Sequence, residues 1–354
     1  MLRRSPVLRG MARLANAPSG LPPTQSPGCA ATTTQTIPRR MVLGLFASGA
    51  LAAPSPARAA WPDRPIQMIV PFAAGGGTDI SARTLARYLE AELGQPIVVV
   101  NRGGAGGEIG LSAIADARPD GYTLGIINTP GVVTIPIERS PRWSMDSFAF
   151  IAGVVEDPAT FAVHPDSPIR TIADLVAAAR AAPGQVTLGT QGVGSAGHIA
   201  MLLLEQAAGV RFEPVAYAGA APAALAMLQK QIQVTTANLG ESLTFAQQQP
   251  YRTLGVMAAE RSSMAPDVPS FKEAGYDLRG GSLRGIGAPR GLPPEVAQKL
   301  SGAVSRVLAN ADFVATSERT FQPLRFLPPV DYVAYLREVD AAHRALWRIR
   351  PWNG

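Results

Sequence analysis

Ile66-Gln67-Met68-Ile69-Val70-Pro71-Phe72-Ala73-Ala74-Gly75-Gly76-Gly77-Thr78-Asp79-Ile80-Ser81-Ala82-Arg83 is the stretch on which the fold turns. Ile66 to Phe72 is a short apolar run rich in β-branched residues, and it reads as a buried strand. Three consecutive glycines follow, then a helical pattern with Leu85, Leu89 and Leu93 four apart and Gly94 as its stop. A strand, a glycine-rich turn and a helix start leave several backbone N–H groups facing one concavity. The positive end of the helix dipole makes that concavity suit an anion.

Several anions are conceivable there. A dinucleotide loop wants Gly-x-Gly-x-x-Gly and an acid about 20 residues on, whereas these glycines are contiguous and the later region reads Val98 to Arg102. A P-loop wants Gly-Lys-Ser/Thr, which is absent. Two readings stay open: a cradle that holds a small carboxylate through main-chain amides, and a tight turn that only packs. In the first, Gly75 and Gly76 are expected to need positive φ or close approach to the ligand. Asp79, in the first helical turn, either orients the loop amides or is a simple helix-start acid.

At 354 residues the chain exceeds the usual single core, so two domains are expected. The formal charge of +6 misleads, because residues 1–60 hold seven arginines and no acid. The remaining 25 basic residues face 26 acids, leaving −1, so nothing points to nucleic acid or an anionic membrane surface. Those first residues read as a leader. Arg39-Arg40 precede an apolar run from Met41 to Ala53, too short to span a bilayer, and Ala57-Arg58-Ala59 offers a cleavage site near Ala59. The arginine pair predicts twin-arginine export, with Sec export as the alternative. Cys29 lies inside the leader, so the mature chain has neither disulfides nor thiolate chemistry. The periplasm is the expected compartment.

Downstream, strands alternate with helices, which predicts a largely parallel sheet with ligands beyond the carboxyl ends of its strands. Strands are predicted over 97–100, 122–127, 185–189, 212–216, 232–237, 253–258 and 283–288. A β-rich stretch from Phe148 to Val163, broken at Asp157-Pro158, can cross between domains. Thr171 with Asp174 predicts a capping box for a helix over 172–180. The last helices are expected over 294–309, 311–320 and 330–348.

Enzymatic chemistry finds little footing. Ser195 lies in Gly194-Ser195-Ala196-Gly197, one place off the Gly-x-Ser-x-Gly elbow, and His198 is only three residues away without an orienting third group. No cluster of His, Cys or carboxylates has metal-ligand spacing, and no cofactor is expected. Gly192 to Gly197 instead repeats the strand, glycine turn and helix order of the first loop. Ser195 would add a hydroxyl, and His198 either a donor or a helix-start imidazole satisfied by backbone. Two such cradles facing each other describe a two-lobed binding protein for a small anion.

Six motifs now carry a resemblance. They are Pro71 to Arg83, Asn101-Arg102 with Gly104 to Gly107, Asp120 to Leu124, Gly194-Ser195 with His198, Tyr217 to Pro222, and Pro266 to Gly275. Together, from Trp61 to about Trp347, the chain resembles the substrate-binding proteins of tripartite tricarboxylate transporters, the Bug-type receptors. The resemblance implies an α/β, two-lobed periplasmic-binding-protein (Venus-flytrap) fold, with two parallel-sheet domains joined by two crossing strands. Residues 60–158 with 286–354 would form one domain and 159–285 the other. It also implies a monomeric receptor, not an enzyme, that takes a small organic acid, a di- or tricarboxylate, and delivers it to membrane permease subunits. An α/β enzyme for a small anion and a sensing receptor are the alternatives.

Carried over by residue, the loops 72–79, 128–131, 191–198 and 217–220 would line the site. From them come Phe72, Ala73, Gly75, Gly76 and Asp79; Asn128 and Thr129; Gln191, Ser195, Ala196 and His198; and Ala218 and Gly219. Two departures from the family pattern add Asn238, which follows a Gln233 where an acid is usual, and Arg284 within Gly281 to Gly285. Arg284 is either a planar fork for a second ligand carboxylate or a hinge arginine paired with Glu156 or Asp157.

Overall fold

The computed structural model describes residues 61–352. The leader, its arginine pair, Cys29 and the cleavage site lie outside them. Strand β1 (Ile66–Val70) runs straight into the glycine turn, and α1 (Gly77–Leu93) follows. Leu85, Leu89 and Leu93 line the buried face of α1. Truncating a buried leucine such as Leu85 or Leu89 to alanine typically costs roughly 2–5 kcal/mol. Gly94 ends the helix in the left-handed region at φ 71°, its N–H returning to Glu90 O at 2.9 Å.

The same unit recurs. β2 (Ile97–Asn101), α2 (Glu108–Ala115) and β3 (Thr123–Asn128) complete a first parallel group in which β1 pairs with both β2 and β3. α4 (Ile172–Ala181), β5 (Thr187–Thr190), α5 (Ala196–Ala208), β6 (Glu213–Ala216), α6 (Ala220–Leu228) and β7 (Val234–Asn238) form a second, with β5 parallel to β6 and β7. The Thr171–Asp174 capping box opens α4 as predicted, with reciprocal bonds of 3.0 Å.

Between the groups run two long strands, β4 (Phe148–Val163) and β9 (Gly281–Pro289). They pair antiparallel with each other, β9 also pairs with β3, and the end of β4 pairs with β7 and β8 (Arg252–Val256). The result is one α/β sheet in the order β2-β1-β3-β9-β4-β7-β5-β6, parallel on its flanks and antiparallel in its middle. The expected break at Asp157-Pro158 does not occur. Both residues stay in register, opposite Ser282 and Gly281. Gly281 makes this feasible, since a β-carbon on it would stand 2.3 Å from Asp157 O.

Six further elements complete the sheet and its helical layers. α3 (Gly131–Glu138) forms although Pro136 lies inside it, and α7 (Leu239–Gln248) starts on a capping box of Asn238 and Glu241. β10 (Leu324–Leu327) pairs with β4. α8 (Pro294–Ala309) and α9 (Ala311–Arg319) cover the first group, and α10 (Pro329–Ile349) closes the chain.

The apolar side chains gather in separate clusters. One joins β1, α1 and α8 around Met68, Leu89 and Leu300. Another joins the end of β4 with α4 and α5 around Phe161, Leu175 and Phe271. A third links β3, α3 and the start of α10 through Ile127, Val133 and Tyr332.

Candidate anion-binding site

The first turn of α1 leaves its amides without helical acceptors, and Gly76 at the N-cap supplies no side-chain cap. Gly75 takes φ +84°, a region that favours glycine. Gly76 does not share that need. It is extended at φ −79°, and a β-carbon there would come no closer than 3.8 Å to Ala73 O. Of the two glycines, only Gly75 meets the expectation of positive φ.

Asp79 is buried and fixes the loop. Its Oδ2 accepts the Gly75 N–H at 2.9 Å and Arg83 Nε at 3.0 Å, while Oδ1 accepts Asn101 Nδ2 at 2.9 Å. Asn101 also donates to Phe72 O at 3.1 Å. Burial works to raise the carboxyl, but the bonds from Arg83, the Gly75 amide and Asn101 outweigh it and hold Asp79 below the ordinary aspartate range. Its oxygens are therefore spent on the loop. Phe72 is half-buried and Ala73 exposed on the same loop.

Across from the α1 start stand the ends of β3 and β9, where Asn128 is the register partner of Arg284. Asn128 Nδ2 donates to Thr78 Oγ1 at 2.8 Å, and Asn128 Oδ1 is buried without a partner. Arg284 donates from Nη1 to Asp157 Oδ2 at 2.9 Å, with both side chains almost fully buried. Its Nη2 lies 3.0 Å from where a β-carbon on Gly77 would stand. Of the two acids the sequence offered Arg284, Asp157 takes it, and Glu156 pairs with Arg325 instead. Thr129 faces the β3–β9 seam, where its Oγ1 accepts the Leu283 N–H at 2.7 Å.

The second glycine turn lies against the first region. Thr134 Oγ1 on α3 donates to Gly194 O at 3.1 Å. Ser195 caps α5, its Oγ accepting the His198 N–H at 3.3 Å, and Ala196 opens the helix. His198 is buried, its Nδ1 accepts the Gly194 N–H at 3.1 Å, and burial lowers its pKa to about 4. The imidazole is thus neutral near pH 7, with its proton on Nε2. Gln191 is fully engaged, donating to Thr236 O at 2.6 Å and accepting the Gly197 N–H at 3.0 Å. The Ala218–Gly219 turn lies alongside, since a β-carbon on Gly192 would be 3.7 Å from Tyr217 O. Asn238 joins β7 to β9 by donating from Nδ2 to Ser282 Oγ at 3.2 Å.

Contacts therefore run from loop 72–79 to Asn128 and Arg284, and from α3 to loop 191–198, which in turn meets Tyr217. What they assemble is a set of backbone amides at helix starts, held by side chains whose own polar atoms are largely committed. Among the described residues no group of three or more His, Cys, Asp or Glu could hold a metal ion. Asp157 was offered only as a partner for Arg284, and the sequence reading did not single out Thr78 or Glu241. The Asn-x-x-Glu spacing of Asn238 and Glu241 is a capping-box signal that could have revealed the last.

The model of the tripartite tricarboxylate transporter family receptor matches residues 81–323. The chain belongs to that family. BugT of Bordetella pertussis is 32% identical over 272 residues, covering 75% of this chain and 83% of the relative. Among solved structures, the periplasmic binding protein BugD is 30% identical with TM-score 0.73, covering 81% of this chain and 98% of that one. MatC from Rhodopseudomonas palustris, solved with bound malate, is 26% identical with TM-score 0.72, covering 80% and 99%. An R. palustris protein solved with adipate is 28% identical with TM-score 0.75, covering 81% and 97%. As a member of this receptor family the chain is a binding protein for a small organic acid, not an enzyme.

Proposed function

We propose that the chain is exported to the periplasm, is cleaved near Ala59, and captures a di- or tricarboxylate for the permease subunits of a tripartite tricarboxylate transporter. One ligand carboxylate sits at the start of α1, against the amides of Gly76 to Thr78, while Asp79 keeps the Gly75 N–H. The Ala196 amide, the one in 195–198 not already donated within the turn, and those at Ala218-Gly219 take the remainder, with Asn238 and the Nε2–H of His198 at the margin. The observation that carries this reading is the use of Asp79: its three hydrogen bonds hold the glycine loop open-handed toward an anion. Malate and adipate in two family relatives favour a carboxylate of about that size.

In the same proposal the molecule has two lobes, 60–158 with 286–354 and 159–285, joined where β4 and β9 cross. The separate apolar clusters on either side of those strands support it. Thermal-shift screening of an organic-acid panel tests the function. An acid present at 100 times its Kd stabilises the fold by about 2.7 kcal/mol, and a panel of mono-, di- and tricarboxylates that never shifts the melt would overturn the proposal.

A further inference from the structure

Beneath the start of α1 lies a group of charges that an amide cradle does not need. Asp157 on β4 and Arg284 on β9 are buried against each other at 2.9 Å. Glu241, third residue of α7, is half-buried and accepts the Asn238 N–H through Oε2 at 3.1 Å. Its Cγ lies 3.7 Å from where a β-carbon on Gly77 would stand, and Arg284 Nη2 lies 3.0 Å from the same point. Glu241 and Arg284 thus flank the first residue of α1. Asn128 reaches the next residue, Thr78, and both Asn128 Oδ1 and Arg284 Nε are buried without partners.

The charges do not balance. Two carboxylates face one guanidinium, and the other groups around Glu241 are neutral. From β7 it meets the Asn238 amide, and α1 offers Gly77. Tyr251, beside β8, is kept as the phenol by burial, its hydroxyl next to Ser242 Oγ at 3.3 Å. The Asp79 carboxylate on α1 is turned to Gly75, Arg83 and Asn101. An anion at the α1 amides gains about half a positive charge from the helix, yet it also meets a net negative floor. A ligand carboxylate brought against Glu241 would relieve the repulsion by sharing a proton with it, as two carboxylates in one site do.

We propose that an organic anion binds at the α1 start together with one proton, which Glu241 takes from solvent and donates as an O–H to the ligand carboxylate. The step is a proton transfer with no redox change: an O–H bond forms on the free oxygen of Glu241 as hydronium or a buffer acid gives up its proton, and one O–H to carboxylate hydrogen bond replaces two opposed carboxylates. Glu241 is then a specificity-determining residue, because an acid that presents no oxygen to it loses this bond. The inference rests on the receptor reading above. Burial already pushes the Glu241 carboxyl up, Arg284 pulls it back, and Asp157 pushes it up again. Burial pushes Asp157 up as well.

Calorimetric titration of the mature chain with malate, succinate and adipate, in buffers of small and large ionisation enthalpy near neutral pH, counts the protons. The expected uptake approaches about one proton per acid bound. It falls to near zero in Glu241→Gln, which keeps an acceptor for the Asn238 amide. Binding without proton exchange in the wild type, or the same exchange in the variant, overturns the proposal. A ligand-free arm uses thermal melts across pH. A carboxyl raised in the folded state stabilises below the ordinary glutamate value and loses that contribution as pH rises through its folded value. Wild type should therefore lose stability relative to Glu241→Gln as pH rises from acidic to neutral, and parallel curves overturn the proposal. If none of the three acids binds, the receptor reading for them fails, and the melts alone judge Glu241.

Discussion

At the level of single residues, Asp79 is the side chain whose chemistry is most closely tied to the glycine loop. Its carboxyl is held below the ordinary range, so its contribution to stability is present above the unfolded-state value and is lost as pH falls through the folded one. Asp79→Asn should remove the part of the acid-side stability slope that lies below pH 4 or so, and should weaken acid binding several-fold by freeing the Gly75 amide. A titration series on both proteins checks this, and an unchanged slope would show that Asp79 is a helix-start acid only. His198 makes a sharper case. With its pKa lowered to about 4, it should show no imidazole titration by NMR between neutral pH and pH 5. Arg284 belongs to the same buried network. Breaking a buried pair by removing one partner costs roughly 3–5 kcal/mol, so Arg284→Met should lower the urea midpoint strongly, with Asp157→Asn in the same chain restoring much of it. A variant of unchanged stability that loses only affinity would return Arg284 to the role of a ligand fork.

Among elements, the strand–turn–helix units were legible because their signals are local. The apolar run of β1, the four-residue leucine spacing of α1, the Gly94 stop and the Thr171–Asp174 box each act within a few residues of themselves. What was hidden depends on distant partners. α3 follows Pro130 and contains Pro136, which reads as a breaker, yet Val132, Val133 and Ile135 are buried and Tyr332 donates to Ile127 O beside them at 3.0 Å. Packing there outweighs the one helical bond that proline forfeits. β4 runs through Asp157-Pro158 because Gly281 across the ladder has no side chain to clash, a fact no window around residue 157 contains. The candidate site divides the same way: Gly75 and Asp79 lie on one legible turn, whereas Glu241 reaches it from α7. The two glycines of the turn should also part company. Gly75→Val forces a β-branched residue to φ +84°, at a cost of about 1–2 kcal/mol, and should displace the amide that Asp79 holds. Gly76→Val enters open, extended backbone and should leave the melting temperature nearly unchanged. Equal destabilisation by the two variants would contradict this assignment of strain.

Over the whole molecule, the question is what makes separate apolar clusters behave as one protein. β4 and β9 are one link, since their ladder continues from the β1–β3 group to the β5–β7 group. α10 is a second. Tyr332 and Leu336 near its start belong to the cluster with β3 and α3, while Leu346, with Trp352 just beyond its end, packs into the cluster around Phe161 and α5. Arg350 Nη1 reaches Glu205 Oε2 at 2.9 Å, and that carboxylate is fully buried on α5 beside the Phe212 amide. The end of the chain is therefore fastened to a different cluster from the start of its last helix. Leu346→Ala with Trp352→Ala removes the apolar half of this fastening, at roughly 2–5 kcal/mol for each large side chain truncated, and leaves β4 and β9 untouched. The native chain should unfold in a single calorimetric transition. The double variant should unfold in two, the cluster around Phe161 melting first, and a ligand bound at the α1 start should raise the later transition more than the earlier one. One sharp transition in both proteins would mean that the two long strands alone couple the clusters, and α10 would then be a covering helix rather than a tie.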